Sequence, residues 1–270
     1  MKLLVKLGGT LLDDEKCRGR LALEIAEVWR KGHQLVLVHG GGKQMTRFLN
    51  EQGIESRFMD GLRVTTPETL DAVLKVLAGS VNKHLVAQLI KAGAQAVGLS
   101  GVDGGLVDAE PLRSDLGAVG RPLGGNRALL ELLTVNGYLP VVACVAGDRK
   151  GNIYNVNADQ MAVACARAYG ADWLIFLTDV DGVLDENKQL VPILTVSAAE
   201  DLIERGVATG GMMAKLNSAI VAVRGGIGQV NIARGSIENV IEKLLEGQPL
   251  GTRLDAGKEA ENATYGKASL

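Results

Sequence analysis

Three glycine-rich turns, each beside a lysine, are the segments of this sequence best suited to chemistry. They are Lys6-Leu7-Gly8-Gly9-Thr10, His39-Gly40-Gly41-Gly42-Lys43 and Thr209-Gly210-Gly211-Met212-Met213-Ala214-Lys215. Glycine allows backbone N–H groups to approach an anion closely, and a helix that begins at such a turn adds the attraction of its N-terminus. A lysine late in a buried strand, such as Lys6, is costly unless its ammonium group meets negative charge. The pattern predicts that phosphate is handled at the ends of strands.

Plainer interpretations of these turns remain open. Lys6 is equally well explained as a lysine whose stem lies along apolar surface while its head reaches water beside an ordinary turn. Close packing of a helix on a strand also requires glycine. The second turn matches neither GxxxxGKS/T nor GxGxxG, so it lacks the pattern of a Walker phosphate loop and that of a dinucleotide-binding loop.

Polar side chains beside two other turns are candidates for substrate binding. Arg63 precedes a capped helix and has the planar fork that binds a carboxylate, although a surface arginine is the simpler interpretation. Asn157 is predicted to be a helix N-cap, which places Asp159 in the first turn, where the helix dipole favours an ionised carboxylate. Such a carboxylate can hold two lysines in place. Helix-start chemistry explains Asn157 and Asp159 equally well, but it does not explain Asn155.

The segment after the apolar run Leu174–Leu177 carries two carboxylates, Asp179 and Asp181, followed by Gly182. In open α/β sheets, ligands bind outside the carboxyl ends of the strands. Two carboxylates there suggest Mg²⁺, but a turn built from Asp and Gly is favoured over direct metal ligation.

Composition and charge exclude several classes of protein. The chain has 270 residues and a net charge of −2 with no basic run, which argues against nucleic-acid binding. Its 3 cysteines form no close pair, so neither a disulfide framework nor a zinc site is indicated. The apolar runs are too short to span a membrane and the N-terminus lacks the pattern of a signal peptide, so a cytoplasmic protein is expected.

Short apolar runs alternate with amphipathic stretches along the chain. Continuous apolar runs are typical of parallel strands covered on both faces, and their alternation with helices predicts a three-layer α/β/α sandwich. The predicted strands are Leu3–Leu7, Leu35–Val38, Ala96–Leu99, Pro140–Val145, Leu174–Leu177 and Val230–Ala233.

Capping residues predict where the helices begin and end. Ser, Thr and Asn favour the N-cap, Pro the first turn, and Gly the position after the last turn. The predicted helices are one from Thr66-Pro67 through Leu77, Val81–Ala92 ended by Gly93, Asp159–Tyr169, one begun by a Ser197–Glu200 capping box and ended by Gly206, and Met213–Arg224.

A change of domain is expected near Gly170-Ala171. It divides the chain into an N-terminal lobe, residues 1–170, and a C-terminal lobe, residues 171–254. Residues 255–270 are polar and lack periodicity, so a disordered tail is expected there.

Five motifs in order resemble those of the amino acid kinase family, and within it those of the kinases that phosphorylate N-acetyl-L-glutamate. Each motif is weak alone, but the ordered set is specific. They are Lys6-Leu7-Gly8-Gly9, His39-Gly40-Gly41-Gly42, Gly61-Leu62-Arg63-Val64-Thr65, Asn155-Val156-Asn157-Ala158-Asp159 and Gly210-Gly211-Met212-Met213-Ala214-Lys215. Ala78–Lys83, Gly98–Gly101 and Gly251–Leu254 add to a match that covers Met1 to about Leu254.

The resemblance implies a mainly parallel sheet of about eight strands between helices, within the usual size of a sheet. It implies that the N-terminal lobe binds the acyl amino acid and dimerises, and that the C-terminal lobe binds ATP. The implied reaction is in-line transfer of the γ-phosphoryl group of ATP to the γ-carboxylate of N-acetyl-L-glutamate, the second step of arginine synthesis. Mg²⁺ would be held mainly by the nucleotide phosphates and water, so no protein metal ligand is expected.

The resemblance also assigns roles to residues. Lys6 and Lys215 would stabilise the transferring phosphoryl group, Asp159 would orient both lysines, and the amide of Gly9 would bind the moving phosphoryl group. The expected substrate-binding residues are Gly41, Gly42, Arg63 and Asn155. The expected nucleotide-binding residues are Gly8, Gly9, Thr178, Asp179, Val180, Asp181, Gly182, Val183, Leu184, Val207, Ala208, Thr209 and Gly211.

One departure from part of the family bears on regulation. Members inhibited by arginine carry a helix before the first strand, whereas here the first strand begins at once. A homodimer without strong arginine feedback is therefore expected.

Rival functions share the fold. A carrier-protein-linked aminoadipate kinase of lysine synthesis would depart at the third glycine of the HGGG motif and in the NVNAD motif, so Gly42, Asn155 and Asn157 favour acetylglutamate. Other members act on carbamate, aspartate or UMP. A non-catalytic amino-acid sensor is disfavoured because Lys6, Asp159 and Lys215 are all present.

Overall fold

A computed structural model of the chain describes residues 1–255. The predicted disordered tail lies outside the described residues, except for Asp255, which ends a strand. The strands are β1 (Lys2–Leu7), β2 (Gln34–His39), β3 (Phe58–Met59), β4 (Leu62–Arg63), β5 (Ala96–Ser100), β6 (Val107–Pro111), β7 (Val119–Gly125), β8 (Leu139–Ala143), β9 (Val145–Gly147), β10 (Ile153–Val156), β11 (Trp173–Thr178), β12 (Ile193–Thr195), β13 (Gln229–Arg234) and β14 (Thr252–Asp255). The helices are α1 (Gly9–Asp13), α2 (Glu15–Arg30), α3 (Gly42–Glu51), α4 (Pro67–Val73), α5 (Asn82–Lys91), α6 (Arg127–Val135), α7 (Ala158–Tyr169), α8 (Val196–Glu204), α9 (Gly210–Arg224) and α10 (Val240–Leu245).

The main sheet has 8 strands in the order β12-β14-β13-β11-β1-β2-β8-β5. Neighbouring strands are parallel throughout, except that β13 and β14 are antiparallel. Helices pack on the sheet to give the three-layer α/β/α sandwich, so the predicted fold class is confirmed. Five of the six predicted strands lie wholly in this sheet, and the sixth, Pro140–Val145, lies in it as far as Ala143.

Strand β1 lies in the middle of the sheet, between β11 and β2. Leu3, Leu4 and Val5 have no exposed surface because the strand is covered on both faces, as its continuous apolar run predicts. The chain continues past Leu7 at the carboxyl end of the strand, where the turns that follow β2 and β11 also lie.

The predicted break between two helices near residue 78 is wrong. α4, a π-helical segment (Leu74–Val81) and α5 follow one another without interruption. The residues between the two predicted helices, Gly79 and Ser80 among them, lie in a wider helical turn. Thr66 is the N-cap of α4, as predicted, and accepts a hydrogen bond from the amide of Thr69 at 3.3 Å.

Two smaller predictions also need correction. The predicted strand Pro140–Val145 is two strands, because the chain leaves the main sheet at Cys144 and enters a small closed barrel of β10, β7, β6 and β9. The predicted N-cap Ser197 lies inside α8. Thr195 is the N-cap instead, and its hydroxyl accepts a hydrogen bond from the amide of Ala198 at 3.1 Å.

The proposed boundary near residue 170 stays a prediction. The main sheet crosses it, since β1 pairs with β11 over Leu3–Leu7 and Trp173–Leu177. Within residues 1–255, no helix is long and apolar enough to cross a membrane.

Candidate active site

The site lies at the carboxyl ends of three adjacent strands, β11, β1 and β2. Each strand is followed by a turn that carries predicted site residues. The turn after β1 contains Gly8 and Gly9, the turn after β2 contains Gly40 and Gly41, and Thr178 ends β11. Because parallel strands end at the same edge, the topology brings these segments together.

Lys6 and Lys215 meet at the two oxygens of one carboxylate. Lys215 Nζ donates a hydrogen bond to Asp159 Oδ2 at 2.9 Å. Lys6 Nζ lies 2.8 Å from Oδ1 as an ion pair that does not satisfy hydrogen-bond geometry. All three side chains are about nine-tenths buried, with 10% or 11% of their surface exposed. The structure therefore brings the three predicted catalytic residues together.

Local structure explains how Asp159 comes to lie between the lysines. Asn157 is the N-cap of α7, and its Oδ1 accepts hydrogen bonds from the amides of Asp159 at 2.9 Å and Gln160 at 3.2 Å. Asp159 thus sits in the first turn, where the helix dipole favours its charge. Lys215 reaches it from α9, which packs on α7.

Burial and charge act in opposite directions on these groups. Burial raises the pKa of the Asp159 carboxyl, but the charges of Lys6 and Lys215 outweigh it and hold that pKa below its usual range. Burial lowers the pKa of the Lys215 ammonium and the charge of Lys6 lowers it further, against the pull of Asp159. One carboxylate serves two cations, so the cluster has excess positive charge that an incoming anion would neutralise.

The first two glycine turns face each other across the site. A β-carbon at Gly9 would lie 3.1 Å from the amide nitrogen of Gly42 and 3.4 Å from that of Gly41. A β-carbon at Gly8 would lie 3.0 Å from the carbonyl oxygen of Leu177, to which the Gly8 amide donates at 2.9 Å. Side chains in these turns would fill the space between them, so glycine keeps backbone amides accessible there.

Two cavities meet at this point. A cleft of about 770 Å³ is lined by Lys6, Gly8, Gly9, Thr10, Asp13, Gly42, Lys43, Thr46, Arg47, Asn50, Phe58, Arg63, Thr178 and Asp179. A smaller cavity of about 180 Å³ is lined by Gly40, Gly41, Gly42, Met45, Phe58, Gly61, Leu62, Arg63, Val73, Leu77, Val119, Cys144, Asn155, Val156, Asn157 and Ala158. Gly42, Phe58 and Arg63 line both, and all four predicted substrate residues line the smaller cavity, which thus adjoins the cleft that Lys6 lines.

Arg63 is a buried arginine whose guanidinium group lies against polar neighbours. Nη2 donates to Thr46 Oγ1 at 2.8 Å and to the carbonyl of Gly42 at 3.2 Å, and Nη1 donates to Ser56 Oγ. The group also lies 4.6 Å from the ring centroid of Phe58. No carboxylate is among these partners, which leaves Arg63 suited to an incoming one.

Asn155 also lines the smaller cavity. Its Nδ2 donates to Thr65 Oγ1 at 3.1 Å, and Thr65 Oγ1 donates to the carbonyl of Arg63 at 2.9 Å. The chain of hydrogen bonds connects two predicted substrate residues, although they come from segments far apart in sequence.

Some of the predicted nucleotide-binding residues line the large cleft and others do not. Thr178 and Asp179 line the large cleft. Val183 is fully buried, and its amide donates to Thr252 Oγ1 at 2.8 Å. The other predicted nucleotide-binding residues do not line this cleft. They are Val180, Asp181, Gly182, Val183, Leu184, Val207, Ala208, Thr209 and Gly211.

Some of these residues hold the segment after β11 in place. Asp181 forms an ion pair with Arg234 at the end of β13, through contacts of 2.5 Å and 3.1 Å. Gly182 is required by packing, because a β-carbon there would lie 2.7 Å from Leu190 and from Thr252 Oγ1. Glycine at this position lets the chain pass close to β14.

Sequence reasoning missed three residues at or next to the site. Lys43 and Arg47 line the large cleft from α3, and Arg47 pairs with Asp13. Their position in the first turns of a helix after a glycine turn was a usable signal. Asn82, which hydrogen-bonds His39 behind the second glycine turn, gave no signal beyond its place in a matching segment.

The described residues contain no group of three or more His, Cys, Asp or Glu side chains arranged to hold a metal ion. Asp159 has both oxygens next to lysines, and Asp181 is paired with Arg234. Asp179 is the acidic side chain that, with Asp13, borders the large cleft.

Comparison with known proteins gives concordant matches. The family model described as the amino acid kinase family matches residues 1–233. A protein of Solibacter usitatus named acetylglutamate kinase is 61% identical over 254 residues, covering 94% of this chain and 99% of that protein. One of Koribacter versatilis with the same name is 40% identical over 259 residues, covering 95% and 99%. The solved structure of smu.665 from Streptococcus mutans matches with a TM-score of 0.82 and 31% identity, covering 94% of this chain and 98% of that one.

Proposed function

The chain belongs to the amino acid kinase family, and we propose that it transfers the γ-phosphoryl group of ATP to the γ-carboxylate of N-acetyl-L-glutamate, a step of arginine biosynthesis. The observation that carries the proposal is the Lys6–Asp159–Lys215 cluster beside two facing glycine turns. Relatives that carry the name acetylglutamate kinase and align over nearly their whole length support the substrate.

Charge neutralisation is the main contribution of these residues. Both reactants are anions, so cations and amides must bring them together before the phosphoryl group can pass between them. Lys6 and Lys215 would contact the transferring group from different elements, β1 and α9. Asp159 would hold the two ammonium groups apart and orient them toward the transferring phosphoryl group. It would not take a proton.

No general base is needed for this reaction. The attacking carboxylate is already ionised at neutral pH, because a Glu-type carboxyl has a pKa of about 4.3. The amides of Gly9, Gly41 and Gly42 would bind the moving phosphoryl group and the attacking oxygen. Arg63 and Asn155 would hold the rest of the acyl amino acid in the smaller cavity.

ATP would lie along the large cleft, with its phosphates at Gly8, Gly9 and Thr178. Mg²⁺ would be held mainly by the nucleotide phosphates and water, and it would supply neutralisation of phosphate charge. Asp179, which borders this cleft, would accept a hydrogen bond from a water of that ion. Asp181 and Arg234 would position the segment that follows β11 rather than contact the metal.

The expected homodimer remains part of the proposal. Strand β5 is an edge strand of the main sheet, with β8 as its neighbour on one side. Light scattering of the purified protein measures the mass in solution, and a mass of one chain would contradict a dimer.

A substrate profile with Mg-ATP tests the function. We expect ADP release with free N-acetyl-L-glutamate, and trapping of the acyl phosphate with hydroxylamine shows that a carboxyl group accepted the phosphoryl group. Turnover only with a carrier-bound aminoadipate would favour the rival kinase. The absence of turnover with any acyl amino acid, in protein that binds the substrate, would favour a sensor.

A further inference from the structure

A buried polar pair lies behind the second glycine turn, outside the lysine cluster. His39 ends β2 and Asn82 begins α5, and both have no exposed surface. Asn82 Nδ2 lies 3.0 Å from His39 Nε2, and His39 Nδ1 lies 2.9 Å from the carbonyl oxygen of Gly40. Fully buried polar groups need such partners, but His39 also contacts Gly40 in the turn proposed to bind the reacting groups, and Asn82 contacts His39.

The surroundings of Asn82 fix which way its amide points. Its NH₂ group lies 2.9 Å from the carbonyl of Val141, which can only accept a hydrogen bond. Its oxygen lies 3.1 Å from Lys83 Nζ, which can only donate. The NH₂ group therefore faces His39, so Nε2 of the imidazole accepts and Nδ1 carries the proton.

The imidazole is neutral in this environment. Burial lowers the pKa of His39 to about 4, and the charge of Lys83 lowers it as well, against the hydrogen bond with Gly40. The neutral ring, with its hydrogen on Nδ1, therefore donates to the Gly40 carbonyl at neutral pH.

The geometry of the Gly40–Gly41 peptide bond links the contact of His39 to the orientation of the Gly41 amide. The carbonyl of Gly40 and the N–H of Gly41 belong to one planar trans unit, so they point in opposite directions. With the carbonyl turned to His39, the N–H of Gly41 points away from the ring. The nitrogen lies on the side of Gly9, where a β-carbon would be 3.4 Å away.

The other side of the turn is held by the same helical element that carries Asn82. A β-carbon at Gly41 would lie 2.6 Å from Leu77 Cδ2, in the π-helical segment that leads into α5. The turn is thus confined between His39 and Leu77. π-Helical turns often occur at functional sites, and this one places Leu77 and Asn82 against a single turn.

We propose that His39 and Asn82 are positioning residues for phosphoryl transfer: the pair orients the Gly40–Gly41 peptide so that the Gly41 amide faces the transferring group. This inference rests on the proposed function, because it assigns the glycine turn its role there. A solely structural pair would set the stability of the protein but not its turnover once folded.

Three substitutions test the proposal in the full-length protein. His39→Asn keeps a donor near the position of Nδ1, whereas His39→Leu removes it, and Asn82→Leu removes the partner of Nε2. We expect kcat to fall roughly 10- to 100-fold in His39→Leu, somewhat less than the loss of a whole oxyanion donor, with the KM for ATP within about 2-fold. We expect His39→Asn to keep kcat within about 5-fold of wild type, and Asn82→Leu to lie between. His84→Asn is the matched control, because His84 is exposed on the same helix.

Nitrogen NMR of the unmodified protein provides a readout independent of activity. We expect the neutral Nδ1–H tautomer for His39 from about pH 5.5 to 8. Any one of three results would overturn the proposal. The first is an Nε2–H tautomer of His39. The others are equal losses of kcat in His39→Asn and His39→Leu, and a folded His39→Leu protein with unchanged kcat. If His39→Leu does not fold, the tautomer and the kcat of His39→Asn decide. A wild-type protein without turnover would refute the proposed function instead, while the tautomer would still report on the pair.

Discussion

Lys215 and Asp159 share a hydrogen bond of 2.9 Å that connects α9 to the first turn of α7. The second oxygen of the same carboxylate faces Lys6 in β1. A single side chain therefore contacts two cations that come from segments far apart in the sequence. The expected behaviour of variants follows from this sharing.

Replacing Lys215 with alanine should reduce turnover more than binding. The ammonium group is proposed to act on charge that develops in the transition state, and the loss of one such donor costs about 10²- to 10³-fold in kcat. We expect the KM for N-acetyl-L-glutamate to change by only a few-fold. Steady-state kinetics measure both constants, with the exposed Lys16→Ala as control. A kcat within a few-fold of wild type would mean that Lys215 is not part of the mechanism.

The lowered pKa of Lys215 predicts an alkaline limit to activity. As pH rises, this lysine in the free protein loses its proton before an ordinary lysine with a pKa of about 10.4 does. Phosphate charge in the complex stabilises the proton, so the alkaline limb of kcat should lie at higher pH than that of kcat/KM. Lys215→Arg should lack the limb in kcat/KM, since guanidinium stays protonated. If the alkaline limbs of kcat and kcat/KM coincide in the wild-type protein, the assignment to Lys215 is wrong. Circular dichroism over the same pH range controls for unfolding.

Asp159→Asn should destabilise the nucleotide-free protein. The change leaves two buried ammonium groups without their counter-ion, and breaking such a pair costs about 3–5 kcal/mol, here toward the low end because the cluster borders a cleft. The folded-state pKa of Asp159 is lowered, so its stabilisation is complete above the unfolded value of about 3.9 and is lost as pH falls through the folded value. The stability difference between variant and wild type should therefore shrink in acid.

The same variant should be rescued by nucleotide. A non-hydrolysable ATP analogue brings phosphate charge to the lysines, so the gap in Tm between Asp159→Asn and wild type should narrow when the analogue is present. Thermal unfolding measures the gap with and without the analogue. An unchanged gap would indicate that the phosphates do not reach Lys6 and Lys215.

Arg63→Lys should weaken substrate binding selectively. Lysine cannot reproduce a planar fork, and a hydrogen bond to a charged group contributes about 1.5–3 kcal/mol, so we expect a roughly 10- to 100-fold rise in the KM for N-acetyl-L-glutamate. The KM for ATP should stay within about 2-fold, since Arg63 is not expected to touch the nucleotide. Arg57→Lys is the control, because Arg57 is exposed close by in sequence. A rise confined to the KM for ATP would reverse the assignment of the two cavities.

Most of the sheet could be predicted from the sequence because its strands are long, buried and continuously apolar. Strands β12 and β14 escaped prediction because they have only 3 and 4 residues, and their pairing depends on neighbours. Thr195 and Ser197 are both good N-cap residues, so the choice between them depends on where the preceding strand ends. The π-helical segment that contains Gly79 packs against Gly41 through Leu77 and Val81, and no local pattern reports such a contact between distant segments.

The site could be predicted to the extent that its residues lie in motifs. Lys6, Asp159 and Lys215 were named from ordered segments, and the structure brings them to one point. Their individual roles remain proposals. The contact between His39 and Asn82 could not be predicted, because it joins a strand end to a helix start across the core. Lys43 and Arg47 were missed because exposed cations are common on helices.

The central place of β1 has a consequence for how the protein is made. A ribosome produces β1 and β2 early, but β11, the other neighbour of β1, emerges only after α7, and Lys215 emerges later still. The nascent chain must keep an apolar strand without one of its neighbours for more than half of its synthesis. Pairing of segments so distant in sequence is intrinsically slow and leaves apolar surface exposed to aggregation. The strand order of this enzyme therefore leaves β1 without one of its neighbours until β11 has been synthesised.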